Sequence, residues 1–300
     1  MFFKKFKNLY KYLVSCKQVS VDIERINELA FYINMIKNGM SVYLGDNLAI
    51  TRLFTGQKMY VDTRDVSLAP HILLEGEWEP QITSIFRKYV EEVSTVFDIG
   101  ANFGFFSLMA GTSNHKGSIH IFEANPDLIH IIIKNVSVNG LTNRSKVNHF
   151  AVTNKSNEKV TINIFKDLWG SATLHDVNDK SLIDNSYEVE SITIDDYCKK
   201  QLIQNIDIIK LDIEGFEDKA YEGMREIIAA SDNLKMFIEF TFYAYAEPEK
   251  FLEKIFEDFD FVYAINENTG EKSRLETVKQ MLLMGLNDWI MLLCAKVQLD

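Results

Sequence analysis

Cysteine is scarce. Cys16, Cys198 and Cys294 are the only three in 300 residues, odd in number, far apart and outside any C-x-x-C spacing. Neither a disulfide framework nor a thiolate zinc site is built from such a set, and a reducing compartment fits it best. Long apolar runs are missing too: none approaches the ~18 residues needed to span a bilayer. The N-terminus lacks the long apolar core and small-residue cleavage site of a signal peptide. A cytoplasmic protein is expected, soluble or peripheral to a membrane. Positive charge is short as well, with 32 Lys and Arg against 43 Asp and Glu and a formal net charge of -11. That balance argues against nucleic-acid binding, which needs a basic face to neutralise phosphates.

The chain has no internal repeat and no low-complexity tract, and its length supports one large domain or a domain with an appendage. Residues 1–20 hold Lys4, Lys5, Lys7, Lys11 and Lys17 and no acid. Phe2, Phe3, Phe6, Leu9, Tyr10, Leu13 and Val14 interleave with them at helical spacing. Such a basic amphipathic helix can lie in a membrane interface through residues 1–17, or dock on its own domain with the lysines solvated. A second helix is expected over 23–37, and short strands over 42–62. The reading therefore divides the chain into residues 1–75, helices and short strands, and residues 76–300.

From Glu77 onward strands and helices alternate, the signature of an open parallel sheet with helices on both faces. Strands are expected at 95–99, 118–122, 146–152, 206–212, 235–241, 259–265 and 288–295. Helices fit at about 103–112, 126–138, 216–229 and 248–258. An insertion at about 153–205 contains a strand pair, a polar loop and a short helix. Within this pattern, Val96-Phe97-Asp98-Ile99-Gly100-Ala101-Asn102-Phe103-Gly104 reads as a strand, a glycine turn and a helix start. Gly100 and Gly104 leave room for a ligand to approach the backbone. A dinucleotide fingerprint would open this loop with glycine, and here Asp98 stands in that place. Its carboxylate would repel a pyrophosphate but suits the cationic amino-acid end of S-adenosylmethionine, directly or through backbone and water. Glu123, at the next strand tip, is placed to grip both hydroxyls of a ribose.

Active groups in an open sheet collect at the carboxyl ends of the strands, where Asp98, Glu123, Asp212 and Glu239 all fall. Four acids there need cations, from a bound sulfonium and ammonium, from Lys210 or from a divalent metal. Asp212, Glu214 and Glu239 are oxygen ligands by type, but no histidine joins them by spacing and no metal is assigned. For a hydroxyl acceptor, Asp212 is the first candidate base, followed by Glu239, Glu214 and His175. Trp78 and Trp169 offer flat faces, and Phe242 and Tyr243 lie beyond a strand tip where an acceptor cleft would open.

These residues together resemble the FkbM family of methyltransferases. The likeness rests on Glu75-Gly76-Glu77-Trp78-Glu79, the loop from Phe97 to Gly104, Phe122-Glu123-Ala124-Asn125-Pro126 and Lys210-Leu211-Asp212-Ile213-Glu214-Gly215-Phe216-Glu217. Ser191 to Tyr197 and the strand ending at Glu239 extend it over roughly residues 40–295. It implies a class I, Rossmann-like methyltransferase sheet, mostly parallel with the last strand antiparallel, using S-adenosylmethionine. It assigns the cofactor to Asp98, Gly100, Ala101, Asn102 and Gly104, with Glu123, Ala124 and Asn125 at the ribose strand. It also implies O-methylation of a hydroxyl on a sugar, glycan precursor or secondary metabolite. An NAD-dependent sugar dehydrogenase or epimerase, and a non-catalytic cofactor-binding scaffold, are the alternative readings.

Overall fold

The computed structural model describes residues 41–92, 94–166, 168–174, 179–283 and 289–299. The helices expected over 1–16 and 23–37, with the membrane contact through residues 1–17, lie outside that range. Strands β1 (Val42–Gly45), β2 (Leu48–Arg52) and β3 (Lys58–Asp62) form an antiparallel sheet. Its inner residues Ala49, Met59 and Val61 join the main core, and Asn135 of the helix Pro126–Val138 bonds both polar backbone groups of Tyr60.

The central sheet begins with β4 (Val96–Ile99), β5 (Ile119–Glu123) and β6 (Ser145–His149). Strands β7 (Ala151–Val152), β8 (Lys159–Phe165), β9 (Leu168–Thr173) and β10 (Ile183–Ile192) build a second, four-stranded sheet in the order β7-β10-β8-β9. The chain returns to the central sheet with β11 (Ile208–Leu211), β12 (Lys235–Thr241), β13 (Phe261–Ile265), β14 (Lys272–Leu275) and β15 (Trp289–Ala295). Its order is β14-β13-β15-β12-β11-β4-β5-β6. Strands β12, β11, β4, β5 and β6 run parallel, and β15 lies antiparallel between β12 and β13. The fold is the Rossmann-like class I methyltransferase arrangement. Strand order reverses between β4 and β11, the point where an open sheet of this kind leaves a crevice at its carboxyl edge.

Two-residue alternation sorts side chains onto the two faces of this sheet. On β4, Phe97 and Ile99 join a core with the helices Ile194–Gln201, Glu217–Glu222, Arg225–Ala230 and Pro248–Asp258. Val96 joins the opposite core, made with the helices Pro80–Tyr89, Phe105–Ser113 and Pro126–Val138. The same alternation sends Asp98, Lys210 and Glu239 to the side of the helix Phe105–Ser113, which is why three charged groups meet under one layer.

Two expected elements break in the structure. The strand expected over 146–152 divides at Phe150, because Ala151 and Val152 leave the central sheet to pair with Ser191 and Ile192 of β10. The helix expected over 216–229 divides around Gly223. The Thr153 carbonyl oxygen lies 2.2 Å from where a Cβ would stand on that glycine, so the two segments meet backbone to backbone.

Candidate functional site

A cleft of about 690 Å³ opens over the carboxyl ends of β4, β11 and β12. Gly100, Ala101, Asn102, Asp212, Glu214 and Glu239 line it, with Glu79, Trp78, Phe105, Phe106, Phe165, Tyr243 and Trp289 around them. A narrower slot of about 50 Å³ adjoins it, sharing Gly100, Asp212 and Glu214, and is walled by Phe122, Glu123, Ala124, Ala151, Val152, Ile162 and Leu174. Polar groups thus crowd the junction of the two spaces, and the slot beyond it is largely apolar.

The glycine loop is held from below. The amides of Gly100 and Ala101 both donate to the Phe122 carbonyl at 3.0 Å, and Asp212 donates its amide to the Ile99 carbonyl at 3.1 Å. Gly100 has φ +81°, and a Cβ there would stand 1.7 Å from the Asp212 carbonyl oxygen. The absent side chain makes room first for the neighbouring turn, and the cleft opens beside that contact. Gly104, at φ +86°, caps the helix Phe105–Ser113 in the left-handed region, which glycine enters without cost.

Glu123 is buried and receives two backbone donors: Asn102 N–H on Oε2 at 2.8 Å and Asn125 N–H on Oε1 at 2.7 Å. Each oxygen keeps further lone-pair capacity, the geometry by which a carboxylate accepts two vicinal hydroxyls. Burial pushes its carboxyl up to about 7, and the amides of Asn125 and Asn102 work against that rise. Asn125 caps the helix Pro126–Val138 through Asp127 N–H and lies behind Glu123. It lines neither space. Ala124 lines the slot.

Asp98 departs from the direct contact that the sequence allowed. Its carboxylate is only 2% exposed, accepts the Ser107 hydroxyl at 2.5 Å and borders neither the cleft nor the slot. Strand alternation turns it under the helix Phe105–Ser113. Burial lifts its carboxyl to about 6, against the pull of the Ser107 hydrogen bond.

Asp212 Oδ2 accepts Lys210 Nζ at 2.7 Å. Lys210 is itself buried, with its ammonium 4.8 Å from the centroid of the Phe106 ring. Burial alone would discharge it, but Asp212, Glu79 and Glu239 together raise its pKa above the ordinary lysine value. Burial first and Asp212 second push the Glu239 carboxyl well above the usual carboxylate range, with Glu214 and Glu217 adding to the repulsion and Lys210 opposing it.

Glu217 is a site residue the sequence reading passed over. Its Oε1 accepts Ile213 N–H at 2.8 Å and Gly215 N–H at 3.3 Å, and its Oε2 accepts the Tyr245 hydroxyl at 2.7 Å. Carboxylate oxygens of Asp212, Glu217 and Glu239 lie within 4.8 Å of one another. The trio of acids read from sequence thus has Glu217 in the place given to Glu214, which stands more exposed at the cleft at φ +58°. Glu79 was missed as well. The only signal for it was its place in the Glu75–Glu79 motif. His175 lies outside the described residues.

The site fits a nucleoside-bearing sulfonium on the chain's own terms. Among the described residues four buried side-chain polar atoms lack a partner, and two of them, Asn102 Oδ1 and Glu79 Oε2, belong to residues lining the cleft. Such atoms are costly unless a ligand completes them.

The sequence model described as "Methyltransferase FkbM domain" matches residues 98–270. No curated protein matches the chain. Among solved structures, a precorrin-6y C5,15-methyltransferase from Geobacter metallireducens is similar at 10% identity and a TM-score of 0.40, over 72% of this chain and 88% of that one. A SAM-dependent O-methyltransferase from Thermotoga maritima is similar at 11% identity and 0.39, over 84% and 78%. A putative rRNA-methylase from Clostridium thermocellum is similar at 10% identity and 0.44, over 74% and 96%. At such low identity nothing of their substrates transfers.

Proposed function

The chain belongs to the FkbM methyltransferase family, with S-adenosylmethionine as its methyl donor, and from that premise we propose that it O-methylates a hydroxyl of a sugar, glycan precursor or related small metabolite. The observation that carries this reading is the cleft itself: four acids, Glu79, Asp212, Glu214 and Glu239, aromatic planes around them, and no Lys or Arg among its described lining residues. Phosphate-bearing polymers would be repelled from such a surface, so a nucleic-acid acceptor is disfavoured.

Glu123, Ala124 and the backbone of Gly100 to Asn102 would hold the nucleoside, with its base directed into the apolar slot. When bound, the cofactor supplies an electrophilic methyl carbon and a thioether leaving group. The chain's task is then to align the acceptor oxygen behind that carbon and to take its proton. Asp212 has one oxygen committed to Lys210 and is suited to orienting the hydroxyl. Glu239 is the stronger base once ionised, since its surroundings favour the protonated form. We therefore assign proton acceptance to Glu239 and orientation to Asp212, with Glu214 at the rim.

The test is transfer from an isotope-labelled methyl donor to a panel of hydroxylated metabolites, with the product's methyl resonance read by NMR. An O-methyl signal is expected, and an N-methyl or C-methyl signal would overturn the reading. Glu239→Gln should lower kcat by about 10²- to 10⁴-fold with cofactor affinity retained by calorimetry.

A further inference from the structure

One carboxylate in the cleft has no task in the reaction as described. Glu79 ends the Glu75–Glu79 motif and stands at the N-cap position of the helix Pro80–Tyr89. Its side chain makes no hydrogen bond to the helix start. Its backbone is instead in the left-handed region at φ +42°, and it lines the cleft with Oε2 buried and without a partner among the described residues. A non-glycine residue held in that region, with an unsatisfied carboxylate oxygen, costs free energy that a ligand can return.

The cation count sharpens the point. Lys210 stands among the acids of the site, and its ammonium is already hydrogen-bonded to Asp212. Glu79 and Glu239 add two more carboxyls to the same cleft. S-adenosylmethionine brings one net positive charge, its sulfonium, because its ammonium is offset by its own carboxylate. Around the acids stand Trp78, Phe165, Tyr243 and Trp289, surfaces that stack on sugar rings and attract cations.

We propose that the acceptor is a hydroxylated ring compound carrying a protonated amine, with Glu79 as the carboxylate that receives the ammonium. This rests on the O-methyltransferase reading and adds the charge of the substrate to it. The ammonium also has a chemical use: a positive charge entering beside Glu79 favours ionisation of Glu239, the group assigned to take the hydroxyl proton. Acceptors bearing phosphate or carboxylate are excluded by the same field.

The experiment uses the full chain loaded with S-adenosylhomocysteine and compares glucosamine, glucose and glucuronic acid by ligand-observed NMR titration. Glucosamine should bind at least about tenfold more tightly than glucose, as one charge-assisted hydrogen bond provides, and glucuronic acid should bind weakest. Equal binding of glucosamine and glucose, or binding of neither, overturns the proposal. In Glu79→Gln the preference should shrink to about twofold or less while calorimetric binding of S-adenosylhomocysteine is kept; a preference that survives the substitution also overturns it. If the variant no longer binds S-adenosylhomocysteine, the wild-type panel decides alone. A preference that vanishes when Mg²⁺ is added would assign the acids to a metal and reject the amine. Failure of the wild-type protein to bind S-adenosylhomocysteine would instead strike at the methyltransferase reading.

Discussion

In the proposed cofactor site, one residue, Glu123, sets both the shape and the pH response. Its two oxygens tie the Asn102 amide to the Asn125 amide, so the loop after β4 and the turn after β5 share a single anchor. With the carboxyl raised to about 7 by burial, part of the ligand-free protein is protonated at neutral pH, and ribose hydroxyls donate best to the ionised form. Binding of S-adenosylhomocysteine should therefore weaken as pH falls below about 7, by up to about tenfold per pH unit where one proton must leave. Glu123→Gln should flatten that dependence and weaken binding at high pH by about 10- to 100-fold; calorimetry across the pH range checks both. Gly100 makes a second prediction. An alanine Cβ would collide with the Asp212 carbonyl, so Gly100→Ala should cost about 1–3 kcal/mol in chemical denaturation and displace Asp212, lowering kcat beyond any change in cofactor affinity. At this scale the sequence was legible for residue type and less so for cause. The motif Asp98-Ile99-Gly100 marked the glycine loop, yet the collision that requires Gly100 comes from a turn more than a hundred positions away. Asp98 looked exposed to ligand because it ends an apolar run; strand alternation turns it inward to Ser107.

Among elements, the turn from Asp212 to Phe216 is the one on which the proposed chemistry depends. Glu217 belongs to the helix that follows, but its carboxylate reaches back to the Ile213 and Gly215 amides and is itself held by Tyr245, from the segment after β12. The tips of β11 and β12 are thereby locked together, which keeps Asp212 and Glu239 in register. Tyr245→Phe removes the donor and leaves Glu217 Oε2 buried without it, a loss of about 1–3 kcal/mol. Urea titration should show that loss, and steady-state kinetics should show kcat falling more than KM rises, because the turn orients reacting groups. A purely structural tyrosine would lower stability and leave kcat per folded molecule unchanged. Helix starts were readable at Pro126 and Pro248, each at the first helical position, because proline's fixed φ acts locally. The Tyr245 to Glu217 lock was not readable, since no local pattern pairs an aromatic with a carboxylate 28 residues before it. The edge strand β14, Lys-Ser-Arg-Leu, also went unread: it is polar and has one neighbour, so neither apolar alternation nor burial marks it.

For the whole molecule, the distribution of buried acid matters more than the net charge of -11. Glu79, Glu123 and Glu217 are each raised from 4.5 to about 7 with burial as the first cause, and Asp98 is raised from 3.8 to about 6. A carboxyl whose pKa is higher in the folded chain than in the unfolded one binds its proton more tightly when folded. Its stabilising contribution is complete below the unfolded value and is lost as pH rises through the folded value. The four groups all lose stability in the same direction, between about pH 4 and about pH 7, and mutual repulsion among surface acids adds to it. The ligand-free protein should therefore melt at a higher temperature near pH 5.5 than near pH 7.5, the reverse of a protein stabilised by ionised carboxylates. Saturating S-adenosylhomocysteine should reduce that difference, because hydroxyl donors to Glu123 favour its ionised form and recover part of the loss at neutral pH. Scanning calorimetry with and without the ligand measures both effects. A melting temperature that is flat or falls toward pH 5.5 in the ligand-free protein would mean that these carboxyls are already ionised in the fold, and that the site carries its charge without waiting for a cation.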